Sequence, residues 1–386
     1  MRGYPLLITF GCISLGIGLS YFYRVSLFPL FICLLLSVFL SLRWQVFLLF
    51  ALTLLGMFYS QLRMPPEIYP QKIEGTFEVY GSLSTGDQGK FYLSRYLNDG
   101  IYKIKGSIDV IPPGHKRSYL WSRGFYKMLK IESFTLVRAL KDPLLKRFKD
   151  LYPEDVAYFL YGAISGDKRG LPADLRSVIY RSGLGHLLAV SGFHVTLLAG
   201  ILFLVLRFLT FSPRFAIVLS LFGLSIYLGY IGFQPSALRA YFLFIFLSFG
   251  KLLGLRVSYL NLLGACGLIL AVWNPFVVWD AGFQLSFAAF FFIALTLESK
   301  LPYYWVYLAP QLGTFPILLL RFGYLPLASF LSNLFAIPLF SFAFTLGFFS
   351  LIPFIGEFLA PTVSFVVEFI FFTSYLFLKL LPSINL

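Results

Sequence analysis

Charged side chains are scarce in this sequence: Asp, Glu, Lys and Arg together make up only 12% of its 386 residues. Soluble domains carry about 25%, so the composition excludes an ordinary soluble protein. Hydrophobic residues reach 59%, and apolar blocks of membrane-spanning length recur from Tyr4 to Leu381; a bilayer core needs roughly 20 apolar residues per helix. Because the blocks are continuous and lack a period-two alternation, they predict an all-α polytopic membrane protein.

Cysteine and histidine are equally scarce, with three residues of each. Cys12, Cys33 and Cys266 fall inside apolar blocks, which excludes a disulfide framework and indicates small packing residues. No cysteine or carboxylate lies one helical turn from a histidine, so we expect no metal site and no cofactor. The sequence also lacks a Gly-rich phosphate loop with its lysine. Any driving force for transport is therefore expected to come from another protein.

Acidic residues are outnumbered by basic ones, 17 against 31, which gives a formal net charge of +14. This excess fits either anionic lipid head groups or a polyanionic substrate. Residues 61–150 alone hold sixteen Lys and Arg against nine Asp and Glu. Half of the net charge is thus concentrated in less than a quarter of the chain.

Composition divides the chain into four segments. A polar stretch that opens at Pro65-Pro66 interrupts the apolar sequence, which resumes beyond Gly183. The predicted domains are N-terminal transmembrane helices at 1–60, a small soluble β domain at 61–150, amphipathic helices with a connecting loop at 151–182, and a transmembrane domain at 183–386.

Hydrophobic blocks place the individual helices. Three are predicted in the first segment, near Tyr4–Tyr21, Ser26–Leu42 and Trp44–Ser60, and two short amphipathic helices follow the β domain, at Pro153–Ile164 and Pro172–Arg181. Seven to nine spans are expected beyond them. The predicted blocks are Leu187–Phe208, Phe215–Ile231, Ala237–Phe249, Val257–Trp273, Gly282–Leu297, Tyr303–Leu320, Leu325–Phe340, Phe340–Phe354 and Val363–Leu381.

The polar segment predicts short strands at Phe77–Tyr80, Phe91–Leu93 and Ile101–Ile111, between Gly-rich turns. Basic and aromatic residues interleave there, a pattern that suits single-stranded nucleic acid because cations contact phosphates and rings stack on bases. Aromatic strand cores with lysines on a solvated face would give the same pattern. The candidate DNA-binding residues of this domain are Lys103, Lys105, Arg117, Tyr119, Trp121 and Arg123.

Two histidines flank a Ser-Gly pair at the start of an apolar block: His186 and His194 lie on either side of Ser191-Gly192. Polar groups inside a membrane usually face a cavity or a partner helix, so the histidines either line a polar path or bond one helix to another. Their eight-residue spacing disfavours a shared metal. A serine hydrolase that uses Ser191 with His194 as its base is a further alternative.

Other polar residues interrupt the later blocks. Arg239 lies one turn into an apolar helix and must snorkel or face water; in a DNA channel it would contact phosphate, and otherwise it anchors the helix at the interface. Asp280 occupies an N-cap position, while Gln284 and Ser286 lie deeper and could line a polar path. Gln311 and Asn333 each precede a proline, which predicts broken helices beside a cavity.

Several ordered blocks resemble the competence domain of ComEC-type DNA-internalisation proteins. They are Gly166-Asp167, His186 to His194, Pro235 to Ala240, Asn274-Pro275 with Asp280 to Phe287, and Asn333 to Pro338. The basic soluble segment resembles the extracytoplasmic OB-type domain of the same family, including the closing stretch from Pro113 to Phe125. The implied fold is an all-α polytopic membrane protein with an inserted small OB-like β domain.

This resemblance implies a channel in the bacterial inner membrane, a multi-pass protein that takes up single-stranded DNA without covalent chemistry. Implied partners are single-stranded DNA, membrane lipid, an external DNA receptor and a cytosolic ATP-driven motor. The metallo-β-lactamase-like domain of many relatives is not expected here, so a separately encoded nuclease could act outside. A transporter of a lipid-linked or small anionic solute is the alternative. The channel candidates are Asp167, Arg176, Arg181, His186, Ser191, His194, Arg239, Asp280, Gln284, Ser286, Gln311 and Asn333.

Overall fold

The structure is a computed structural model of the full chain. It describes residues 5–22, 52–53, 55–60, 63, 71–80, 82–86, 89–97, 99–112, 120–121, 123, 125–139, 142–255, 257–299, 301–302 and 304–385. Two compact units are present: Met1–Asp142 with Gly267–Asp280 forms the first, and Pro143–Cys266 with Ala281–Leu386 forms the second.

A closed five-stranded barrel forms most of the described part of the first unit. Its strands run in the order β1-β2-β3-β5-β4, and their bounds are β1 Gln71–Tyr80, β2 Leu83–Gly86, β3 Gly89–Leu93, β4 Gly100–Val110 and β5 Lys127–Ala139. Alternate residues point inward, so that Phe77 meets Phe91 edge to face with ring centroids 5.8 Å apart. The parallel pairing of β3 with β5 closes the barrel. The predicted OB-like β domain is confirmed, and β2 and β5 are strands that the sequence prediction omitted.

Helix α1, Pro5–Phe22, precedes the barrel and confirms the first predicted helix. Residues 52–53 and 55–60 are also helical. A Cβ on Gly56 would lie only 2.3 Å from the backbone oxygen of Ile13, so the glycine permits close helix packing. The predicted helix Ser26–Leu42 and the first half of Trp44–Ser60 lie outside the described residues.

Eleven helices of the described chain belong wholly to the second unit or enter it. Their bounds are α2 Pro143–Leu151, α3 Glu154–Ser165, α4 Ala173–Arg181, α5 Gly192–Thr210, α6 Pro213–Tyr230, α7 Pro235–Leu252, α8 Tyr259–Trp273, α9 Ala281–Glu298, α10 Trp305–Phe322, α11 Ser329–Phe349 and α12 Ile355–Leu380. Helix α8 is shared between the two units. Five of them, α5, α6, α9, α11 and α12, have the length and apolarity to cross a membrane. A small ladder, β6 Tyr324–Leu325 with β7 Ile384–Asn385, completes the unit.

Helix α3 lies in the centre of the largest apolar cluster of the second unit. The amphipathic pattern predicted for this region holds for α4, where Ile179 is buried and Arg181 is exposed. In α3, by contrast, nearly every residue from Val156 to Ile164 is buried. Phe159 packs on α11 and α12, with its ring centroid 6.0 Å from that of Phe340 and 5.2 Å from that of Phe371. A helix that is apolar all round belongs in a protein interior.

The prolines of α10 and α11 do not break their helices. Leu325–Phe340 and Phe340–Phe354 are predicted as two spans, and this is wrong: α11 is one helix that contains Pro338. Helix α10 likewise continues through Pro310 and Pro316. Membrane helices tolerate proline because neighbouring Ser and Thr side chains and local adjustments satisfy the freed backbone acceptors.

We expect Phe159→Ala to destabilise the protein by about 3–5 kcal/mol, because it leaves a cavity in the cluster around α3. Thermal unfolding of the protein in nanodiscs measures this. Phe358→Ala is the matched control, since Phe358 is 83% exposed on α12 and should leave the unfolding temperature unchanged. Equal effects of the two substitutions would contradict the central position of α3.

Candidate functional site

Three sequence-distant segments of the second unit meet where α5 and α7 begin. The hydroxyl of Ser236, in the first turn of α7, donates to the carbonyl of Val190 over 3.1 Å. The hydroxyl of Tyr227 donates to the carbonyl of Ile164 over 2.8 Å. Gly166 ends α3 in the left-handed conformation, with φ at 81°, and a Cβ there would lie 2.9 Å from Nε2 of Gln234. The turn after α3 therefore packs directly against the starts of α5 and α7.

Ser191 and His194 form a capping box at the start of α5. The backbone N–H of Phe193 donates to Oγ of Ser191 over 3.2 Å, and the N–H of Ser191 faces Nδ1 of His194 at 3.3 Å. Nε2 of His194 lies 3.3 Å from the carbonyl of Leu187. Since a neutral imidazole donates from one nitrogen and accepts at the other, the proton is assigned to Nε2. Both residues thus satisfy backbone groups that the helix leaves free.

His194 is fully buried between aromatic rings of α11, with its centroid 5.1 Å from Phe340 and 5.3 Å from Phe344. His186 lies in a separate 3-10 turn, Gly185–Leu187, and its Nδ1 is 3.2 Å from the carbonyl of Gly183. The two histidines therefore hold different turns. Within the described residues, no group of three His, Cys, Asp or Glu could hold a metal ion.

The Ser191–His194 pair has the contact distance of a catalytic pair, 2.9 Å from Oγ to Nδ1, but not the surroundings of one. A nucleophilic serine needs access to its substrate and a base that a third group orients. Here the base is fully buried and its other nitrogen faces a backbone carbonyl. The geometry favours helix capping over the serine hydrolase alternative.

Arg239 lies at the centre of this meeting point, with only 7% of its surface exposed. Its Nε donates to Oγ of Ser286 on α9 over 2.8 Å, and its guanidinium carbon lies 5.1 Å from the ring centroid of Phe290. A Cβ on Gly192 would lie 2.3 Å from Nη2, so the guanidinium rests against the first turn of α5. Cations this deeply buried usually have a carboxylate partner. Among the described residues Arg239 has none.

The electrostatic potential of two helix N-termini adds to the positive charge of Arg239. Gly192 is the first residue of α5, and Arg239 stands in the second turn of α7. The N-terminal end of a helix carries about half a positive charge, so both helices add positive potential near the guanidinium. Arginine also offers a planar fork of donors that matches phosphate oxygens. A buried guanidinium between two helix N-termini therefore suits an anion.

A second polar cluster lies between α10 and α11. Ser329 donates to Oε1 of Gln311 over 3.2 Å. Nε2 of Gln311, Oγ of Ser332 and Oδ1 of Asn333 are buried without a hydrogen-bond partner among the described residues. Buried polar groups are nearly always paired or hydrated. This cluster therefore suits water or a polar solute.

The remaining predicted channel residues each have their own surroundings. Nε of Arg169 donates to Oδ1 of Asp167 over 2.7 Å. Burial alone would raise the pKa of Asp167, but the side-chain and backbone hydrogen bonds from Arg169 hold the pKa below its usual value. Arg176 is half-buried and Arg181 exposed on α4, and Gln284 is half-buried on α9. Asp280 directly precedes α9, and its Oδ2 lies 3.7 Å from Nε of Arg123.

On the barrel, Lys103 and Lys105 are exposed beside Glu74, at 3.5 and 4.0 Å from its carboxylate oxygens. These lysines and Phe134 line a cavity of about 290 Å³. Phe134 is 41% exposed, and the guanidinium of Arg95 lies 5.7 Å from its ring. The sequence prediction did not place Phe134 or Arg95 in a site, because their contact joins the bend after β3 to β5, which lie far apart in sequence.

The other barrel candidates have different surroundings. Trp121 is buried with its ring centroid 5.2 Å from that of Phe276, and Arg123 is paired with Asp280. The ring of Trp121 is therefore engaged in the core of the first unit. Arg117 and Tyr119 lie outside the described residues.

Comparison with known proteins identifies a family whose model matches this chain. A model described as Competence protein matches residues 164–385, more than half of the chain. ComE operon protein 3 of Bacillus subtilis (strain 168) is 29% identical over 218 residues, which cover 55% of this chain and 28% of that protein. An uncharacterised protein of Aquifex aeolicus (strain VF5) is 30% identical over 194 residues, 47% of this chain and 42% of that protein. The match thus spans less than half of each relative. No solved structure matches the chain.

We expect Ser191→Ala to lower the stability of the protein by about 1 kcal/mol, because the first turn of α5 loses its cap. Ser191→Thr keeps a hydroxyl at the cap and should retain most of that stability. Thermal unfolding in nanodiscs measures both. A fluorophosphonate probe should leave Ser191 unlabelled; covalent labelling at this serine would instead support the hydrolase alternative.

Proposed function

Since the chain belongs to the Competence protein family, we propose that it forms a channel through which a single strand of DNA crosses the membrane during natural transformation. The protein is a multi-pass protein of the inner membrane, with five helices of membrane-spanning length in its described part.

The buried, unneutralised cation of Arg239 is the observation that carries this proposal. A strand of DNA has one negative charge per nucleotide, so it cannot cross bare hydrocarbon. A cation that is fixed by Ser286, and that has no carboxylate partner in the described residues, keeps its charge for a passing anion. Phosphate groups that move past Arg239 would replace one another at this position. No covalent step is required of the chain.

Polar side chains elsewhere in the second unit supply the rest of the path. The unpaired groups of Gln311, Ser332 and Asn333 would hydrate sugars and base edges. Gln284 and His186, which are half-buried, are further candidates for this lining. Such a mixture tolerates every base sequence because none of its contacts requires one particular base.

The barrel of the first unit would capture DNA outside the membrane. Lys103 and Lys105 offer phosphate contacts, and Phe134 offers a ring face to a base, with Arg95 beside it. The ion pairs with Glu74 are exposed, so they stabilise little and can yield to a phosphate. Stacking on a ring accepts every base, as sequence-independent uptake requires.

Partners of this channel follow from what it must receive and release. A DNA receptor outside would present the duplex, a nuclease on another polypeptide would remove one strand, and a cytosolic ATP-driven motor would pull the other. Anionic membrane lipid would contact the basic surface of the protein.

Replacement of Arg239 tests the channel directly. We expect Arg239→Ala to lower the uptake of labelled DNA roughly 10- to 100-fold, since a hydrogen bond to a charged group contributes about 1.5–3 kcal/mol. Arg239→Lys keeps the charge but not the planar fork, and should give an intermediate rate. Uptake is measured in a deletion strain complemented with each variant.

The matched control for this test is Arg214→Ala. Arg214 is exposed at the start of α6, so its loss should leave uptake unchanged at equal amounts of membrane-inserted protein. Normal uptake with Arg239→Ala would contradict the proposed role of this cation. Loss of small-anion flux with intact DNA uptake would favour the solute transporter.

A second test addresses the barrel. We expect Phe134→Ala to weaken binding of a fluorescent single-stranded oligonucleotide by the full chain about 5- to 100-fold, because stacking contributes roughly 1–3 kcal/mol per base. Phe134→Tyr keeps a ring and should bind like the parent protein. Tyr80→Ala removes another exposed ring, 48% accessible at the end of β1, and should bind normally. Unchanged affinity of Phe134→Ala would remove this ring from the DNA surface.

A further inference from the structure

An open cavity of about 370 Å³ lies beside the first turns of α12, where the end of α2 approaches that helix. Ligand pockets in proteins measure about 300–1,000 Å³, so the cavity is large enough for a small group. It contains none of the residues of the proposed channel path. The lining residues are Asp150, Leu151, Glu357, Ala360, Pro361 and Ser364.

The lining changes from charged to mainly apolar along α12. Glu357 is the third residue of this 26-residue helix, which is about 39 Å long at 1.5 Å per residue. Because the hydrocarbon core of a bilayer is only about 30 Å thick, the first turn of α12 reaches the lipid head groups. Pro361 and Ser364 follow one and two turns further along. The charged end of the cavity therefore lies at head-group depth, and the other end lies beside the acyl chains.

The apolar end of the cavity opens on a surface that meets lipid. Phe358 and Phe365 of α12 are 83% and 68% exposed. Seven residues make nearly two full turns, so the two rings lie on the same face of the helix. Pro361, which is also exposed, stands between them. A molecule that enters the cavity from the membrane would contact these rings with its apolar part.

The charged end of the cavity has an excess of negative charge. Oε1 of Glu357 lies 3.0 Å from Nη1 of Arg147, but its side chain is 57% exposed and a carboxylate can accept further donors. Asp150 has no ion pair or hydrogen bond within the described residues, although Lys146 stands one turn before it. Asp150 also lies in the last turn of α2, where the helix carries about half a negative charge. A cation beside Asp150 would relieve this repulsion.

We propose that the cavity binds a phospholipid whose head group ends in a primary ammonium, as in phosphatidylethanolamine. The ammonium would lie between Asp150 and Glu357, and an acyl chain would follow the lining past Pro361. A primary ammonium has three N–H donors, enough for both carboxylates, whereas the trimethylammonium of phosphatidylcholine has none. The bound lipid would join α2 to the start of α12. This inference is independent of whether DNA is the transported molecule.

Lipid retention tests the proposal, using the full chain in vesicles that contain equal parts of phosphatidylethanolamine, phosphatidylcholine and phosphatidylglycerol. Native mass spectrometry after mild detergent extraction measures which lipid stays bound. We expect phosphatidylethanolamine to be retained about tenfold better than phosphatidylcholine, which corresponds to 1.4 kcal/mol. Stepwise N-methylation of the head group should reduce the retention progressively, because each methyl group removes a donor.

Replacement of Asp150 separates the charge from the shape of the cavity. Asp150→Asn keeps the size of the side chain and should lower the preference about tenfold, to equal retention of the two lipids. Asp174→Asn removes an exposed carboxylate of α4 that does not line the cavity, and should retain the preference. Phosphatidylethanolamine should also raise the unfolding temperature of the parent protein and of Asp174→Asn, but not that of Asp150→Asn.

A second variant blocks the apolar end without changing any charge. Ser364→Trp should fill the cavity and abolish the retained lipid, while the protein unfolds at the same temperature as the parent in phosphatidylcholine. Equal retention of all three lipids by the parent protein, or full retention by either Asp150→Asn or Ser364→Trp, would overturn the proposal. Preferential retention of phosphatidylglycerol would overturn it in favour of an anionic lipid. Binding of magnesium that requires Asp150, without any lipid preference, would overturn it in favour of a divalent cation.

Discussion

The cost of a charge in hydrocarbon determines where this chain places its ionisable groups. Most charged residues of the spans lie at helix ends, where their side chains reach water. Glu298, for example, accepts from Ser258 over 3.1 Å and from the N–H of Leu260 over 3.1 Å at the start of α8. Such groups serve the fold. A charge that is deep and has no such partner needs another explanation.

Arg239 and Glu368 are two such residues in the described part of the second unit, and their surroundings differ. Arg239 is enclosed by α5, α7 and α9, with one neutral hydrogen-bond partner. Glu368 points away from the apolar cluster, into a surface of aromatic rings. An anion that pairs with Arg239 would have to enter the protein, as the proposed channel requires.

Sequence reasoning succeeded where a local pattern determines the structure. Short aromatic and apolar runs between Gly-rich turns predicted part of β1, with β3 and β4, and apolar blocks predicted most helices within a few residues. Sequence-based prediction failed where tertiary packing determines the structure. Pro338 is a helix breaker in isolation, yet α11 continues through it, and the buried flanks of α3 follow from contacts with Phe340 and Phe371 that lie far along the chain. The pairing of Arg95 with Phe134 was missed for the same reason.

The meeting point around Arg239 gives a physical reason for motifs that look unrelated along the sequence. Gly166 supplies the left-handed turn that lets α3 end against Gln234. Ser191 and His194 cap α5, and the missing side chain of Gly192 leaves room for the guanidinium. Ser286 then holds Nε of Arg239 in place. Each motif depends on the others. The guanidinium of Arg239 would not stay buried without the space beside Gly192 or without the hydrogen bond to Ser286. Blocks separated by more than 100 residues therefore act as parts of one site.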